Sequence, residues 1–86
     1  MAPREELQKL LDTLATQRDE LVVRAHLAKL EAQEEWGELE GKLELLRAKA
    51  GQAAEVAGEA AEDVAAAARL LGEEIARGYE RLRRLF

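Results

Sequence analysis

The sequence predicts an all-α protein: a long continuous amphipathic helix that forms a coiled coil or helical bundle by self-association. Three observations predict it. Ala, Leu, Glu, Arg and Lys supply 60 of the 86 residues, a composition typical of coiled coils and long helices. Ser, Asn and Cys are absent and Pro occurs once, so the residues that usually build turns are scarce. Apolar residues recur at spacings of three and four along nearly the whole chain, which places them on one helical face.

That stripe runs through Leu7, Leu11, Leu14, Arg18, Leu21, Ala25, Ala28, Ala32, Trp36, Leu39, Leu43, Leu46, Ala50, Ala53, Ala57, Ala61, Val64, Ala68, Leu71, Ile75, Gly78, Leu82 and Leu85; Arg18 and Gly78 alone interrupt it. Its mean step is about 3.55 residues, between a strict heptad at 3.5 and a straight helix near 3.6. Two consecutive four-residue steps occur twice, at Ala28–Ala32–Trp36 and at Ala53–Ala57–Ala61. Each is a stutter, which relaxes left-handed supercoiling, so the expected helix is a nearly straight rod of about 125 Å.

Within one domain spanning 1–86, the chain divides into a lead-in (1–3), a Leu-rich segment (4–47), an Ala-rich segment (48–68) and a basic amphipathic segment (69–86). Pro3 suits a first helical turn, where its missing N–H costs nothing. Glu5 and Glu6 complement the positive end of the helix dipole, and Arg81, Arg83 and Arg84 the negative end. Glu5–Lys9, Glu20–Arg24, Glu38–Lys42, Glu73–Arg77 and Glu80–Arg84 add i,i+4 pairs worth roughly 0.2–0.5 kcal/mol each. The small knobs of the Ala-rich segment bury little area, which makes it the loosest part. The alternative architecture is an α-helical hairpin turning near Gly37–Gly41 or at Gly51.

A lone rod leaves its stripe in water, forgoing roughly 1.5–3 kcal/mol per Leu. Self-association, or packing on another helical protein, is therefore expected through the stripe residues. Leu10, Val22, Val23, Leu27, Leu30 and Leu45 widen the face, which favours three or four helices over two. Arg18, polar within the stripe, either sets register or snorkels out of the seam. Trp36 is the largest knob and falls on the first stutter. Residues 31–63 carry net charge −7 and residues 64–86 carry +2, so the acidic centre and basic tail attract each other across an antiparallel or staggered contact, or else stand as separate solvated faces.

The same inventory excludes most chemistry. The net charge of −5 disfavours nucleic acid, whose binding rests on neutralising phosphates. The longest apolar run, Val64–Ala68, is far short of the ~20 residues of a membrane span. The start of the chain lacks an apolar segment of signal-peptide type, which favours the cytoplasm. His26 has no acid three or four residues away, and one His with no Cys argues against a metal site within one chain. Thr13, Thr16 and Tyr79 are the hydroxyls, none with His26 at helical reach. Glu31, Glu34, Glu35 and Glu38 form an acidic face that lacks the concave pocket carboxylate catalysis needs. No enzyme activity and no cofactor are expected.

The segments QRDEL, AHLAKLEAQEEW, AGEAAEDV and LLGEEIARGYERLR, between Gln17 and Leu82, resemble small acidic coiled-coil proteins of bacteria. The resemblance implies a short cytoplasmic coiled-coil protein without catalysis, and it transfers no functional residues. The Ala-rich middle is more distantly similar to apolipoprotein-like, phasin-like and desiccation-related helices, without the 11-residue repeat of the last. The expected function is that of an oligomerisation scaffold or adaptor. The alternative is an amphipathic helix that binds a lipid or storage-granule surface, with Tyr79–Phe86 as the basic contact.

Overall fold

The computed structural model describes residues 3–86, with side chains from Glu5 onward; Met1 and Ala2 of the lead-in lie outside the described residues. The chain is all-α. It forms three helices, α1 (Pro3–His26), α2 (Leu30–Glu55) and α3 (Glu59–Leu85), and each packs on the other two. This corrects both the continuous rod and the two-helix hairpin. The molecule measures 45 × 19 × 15 Å. The helix breaks at 27–29 and at 56–58, while Gly37, Gly41 and Gly51 sit inside α2.

Both breaks fall on the stutters. Between slips, the stripe keeps one phase and stays on one face; at a slip it turns around the helix. Folding back at the two slips lets three phase-coherent segments share one core. It also removes the apolar stripe from water within a single chain, so the burial argument no longer requires a second copy.

The connections use little turn chemistry. At the first, α1 tightens, with the Leu27 amide donating to the Arg24 carbonyl at 3.2 Å and the Ala28 amide to that of Ala25 at 3.3 Å. Lys29 is extended and provides no side-chain cap. Gln33 supplies one from across the turn: its Nε2 donates to the carbonyls of His26 (3.2 Å) and Ala28 (3.0 Å). These would otherwise be orphan acceptors of the α1 end. At the second connection Val56 is extended and Gly58 takes φ +67°, a conformation costly for residues with a Cβ.

Ion pairs between helices report the register. Arg69–Glu6 (2.6 Å) and Arg83–Glu20 (3.2 Å) join α3 to α1 in parallel, with the same sequence offset. Lys42–Glu74 (2.5 Å) and Arg81–Glu35 (2.5 Å) join α2 to α3; seven residues down one helix match seven up the other, so they run antiparallel. Exposed pairs of this kind contribute roughly 0–1 kcal/mol each. They place the acidic middle against the basic tail across the antiparallel contact.

Most of the stripe forms the core. Leu7, Leu14, Leu21, Ala25, Ala32, Trp36, Leu39, Leu43, Leu46, Ala53, Ala68, Ile75 and Leu82 are buried, with Leu11, Ala28, Ala50, Val64 and Leu71 packed against them. Ala61 is half-buried; Ala57 and Leu85 are exposed. Gly72 and Gly78 on α3 are points of close approach: a Cβ on Gly78 would sit 2.5 Å from a methyl of Leu39, and one on Gly72 would meet Leu10.

Candidate functional site

Arg18 leaves the stripe toward α2. Its guanidinium donates to Glu40 through Nε (2.6 Å) and Nη2 (3.0 Å) and lies 5.9 Å over the Trp36 ring. The Trp36 ring is 5.7 Å from that of Tyr79 on α3. Residues from all three helices thus meet at one level. Arg18 and Glu40 keep 31% and 33% of their side chains exposed, so the ion pair stays hydrated while its stem packs inward. The bidentate bond to Glu40 raises the Arg18 pKa above its usual value.

Tyr79 is 1% exposed and its hydroxyl has no hydrogen-bond partner. Burial, reinforced by the nearby Glu40 carboxylate, pushes its pKa up to about 12. A phenol that resists ionisation, packed against Trp36 and lacking an acceptor, is core material rather than an acid or nucleophile.

The other candidate chemistry disperses. Thr13 and Thr16 donate to the Lys9 and Asp12 carbonyls, both at 3.0 Å, one turn back. His26 ends α1 in solvent. Glu35 is taken by Arg81, while Glu31, Glu34 and Glu38 point outward. Among the described residues, no group of three or more acids or histidines is placed to hold a metal ion, and no helix is long and apolar enough to cross a membrane. The basic tail is largely committed to the bundle: Leu82 is fully buried, and Arg81 and Arg83 hold Glu35 and Glu20.

What remains is one end of the bundle. The α1–α2 connection and the end of α3 enclose an open notch of about 650 Å³, lined by Arg24, Leu27, Ala28, Lys29, Glu31, Ala32, Leu85 and Phe86. Its leucines are unpartnered: Leu27 is 84% and Leu85 65% exposed. Phe86 packs partly on the core. The notch combines these apolar side chains with the charged Arg24, Lys29 and Glu31.

The stripe brings Ala28, Ala32 and Leu85 to this notch. It misses Leu27, which the face-width argument counts as a flanking packing position. Its signal was present: an exposed-side leucine beside the first stutter. Leu27 and Leu30 border a chain reversal, so no neighbouring helix covers them. Comparison with protein-family models, curated proteins and solved structures found no match for this chain.

Proposed function

We propose that this chain is a non-enzymatic helical scaffold or adaptor module that docks another protein chain in the notch formed by Leu27, Ala28, Leu85 and Phe86. One observation carries the reading. A bundle that buries nearly all of its long stripe leaves its most exposed leucine, Leu27 at 84%, in a concave site. Free energy of roughly 1.5–3 kcal/mol per large apolar side chain is available on covering it. The cytoplasmic setting favoured by the sequence belongs to the same proposal.

In this reading assembly works differently from the coiled coil of the stripe. Leu7, Leu14, Leu21, Leu39, Leu43, Leu46, Ile75 and Leu82 act inside one chain, and Arg18 sets the register of α1 on α2 through Glu40. Contact with a lipid surface through Tyr79–Phe86 competes with this arrangement, because Tyr79 and Leu82 would have to leave the core.

A photoreactive phenylalanine in place of Leu27, activated in cells, tests the reading. The expected result is a discrete protein crosslink lost in a Leu85→Lys background. Crosslinks to lipid alone, or none, would overturn it.

A further inference from the structure

The two ends of the bundle are complementary to each other. In the up-down-up arrangement, the notch lies at one extreme of the 45 Å axis and the α2–α3 connection at the other. Arg24 and Lys29 flank Leu27 and Ala28 at the notch. No ion pair holds these two cations among the described residues. Glu31 also lines the notch, and Glu35, Glu20 and Glu80 nearby are engaged by Arg81 and Arg83.

The opposite end is acidic. Val56, 40% exposed, and the exposed Ala57 and Gly58 form its tip. Glu55 and Glu59 border the tip directly, and Glu62 and Asp63 follow within the next turn, all exposed. Among the described residues these four carboxylates have no ion-pair partner. Among the cations whose side chains are described, Arg69, Lys49 and Lys9 sit further along their helices, and Arg69 is taken by Glu6.

We infer that the notch receives the 55–59 turn of a second copy of this chain, so that copies assemble head to tail. Val56 and Ala57 enter between Leu27, Leu85 and Phe86, while Glu55 and Glu59 face Arg24 and Lys29. The match is one of polarity, an exposed apolar turn for a notch with exposed leucines, and of sign. A copy's own turn is a bundle length away, so the contact is necessarily between molecules. It uses two different surfaces, and such a contact closes into a ring or propagates as a filament. Opposed charges at the rim steer the encounter and make it salt-dependent. The inference rests on the docking reading above and names the partner of the same site.

Charge reversal in two halves tests it, by sedimentation velocity on the purified full chain over a concentration series at low and high salt. Wild-type protein should grow in mass with concentration beyond a dimer, and less so at high salt. R24E/K29E carries two acidic ends and E55K/E59K two basic ends. Each alone should associate at least roughly tenfold more weakly, a loss typical of removing rim charge complementarity. An equimolar mixture should regain assembly, because each notch then meets a turn of opposite sign. All four positions are exposed and outside the ion pairs, and circular dichroism checks that helicity is retained. Monomeric wild type at every concentration, or variants that assemble like wild type, would overturn the head-to-tail contact. If the crosslink from position 27 still captures a different protein, the docking reading survives that result; if it captures none, both fall.

Discussion

The two halves of the bundle solve the same packing problem with different side chains. Toward the notch, the core holds Leu21, Trp36, Leu39, Tyr79 and Leu82, with Arg18 laid over the tryptophan. Toward the α2–α3 connection it holds Leu7 and Leu46 with the small side chains of Ala53, Ala65 and Ala68, and half-buried Leu10, Leu11, Ala50, Val64 and Leu71. The connections differ in the same way. The first is closed by a side chain from the next helix, Gln33, which reaches back to two carbonyls. The second depends on one residue, Gly58, in a left-handed conformation. Large knobs and a long-range cap make one half cohesive. Beyond Leu7 and Leu46, small knobs and a local turn leave the last turns of the other half with little buried area to lose, so local opening should start there.

The largest expected effect separates the halves directly. Trp36→Ala removes the residue that contacts Arg18 and Tyr79 together and should cost about 3–5 kcal/mol, much of a small domain's stability. Val64→Ala in the Ala-rich half should cost only about 1 kcal/mol. Urea denaturation of both variants measures the gap, and equal losses would show that the halves are equally packed.

A second probe is alkaline pH. Below the ordinary phenol value of 10.0, Tyr79 is protonated in folded and unfolded chains and its burial contributes in full. Between there and its folded value of about 12, the unfolded chain sheds the proton first. Stability therefore falls with rising pH, by up to about 2–3 kcal/mol. Tyr79→Phe should flatten this decline relative to wild type and cost little at neutral pH, because the hydroxyl it deletes is buried without a partner. An unchanged alkaline slope in the variant would mean that Tyr79 is ionising freely in the folded state.

Which parts of this were legible follows from what the stripe encodes. Periodicity identifies the face of each helix, and so it found Leu14, Leu43, Ile75 and Leu82 as core. It says nothing about whether the covering surface belongs to the same chain, and the missing turn formers pointed away from the same chain. The turns were visible only as stutters, since Leu27-Ala28-Lys29 contains no turn residue and its closure depends on Gln33, five residues beyond Ala28. Gly58 had the right residue type for a turn and lay at the second stutter, but six scattered glycines gave no means of choosing it. The notch was hidden for a related reason: Leu27 and Leu30 read as core flanks until a chain reversal strands them at an end.

The glycines that remain inside helices sharpen the comparison at its smallest scale, because their environments are opposite. A Cβ on Gly51 or Gly37 meets nothing within 4 Å, whereas one on Gly78 meets three atoms of buried Leu39. In a helix interior, Ala is favoured over Gly by roughly 1 kcal/mol. Gly51→Ala and Gly37→Ala should each raise stability by about 0.5–1 kcal/mol. At Gly78 the same propensity gain is opposed by overpacking, which costs about 1–3 kcal/mol. Leu39 is 3% exposed and packs beside Trp36 and Tyr79, so it cannot swing into solvent. Gly78→Ala should therefore lower stability by about 1–2 kcal/mol net, a change opposite in sign to that at Gly51. Thermal unfolding of the three variants distinguishes the cases. A stabilised Gly78→Ala would mean that α2 and α3 stand further apart than the present packing requires, and that the cohesive half owes its strength to the aromatic pair rather than to close helix approach.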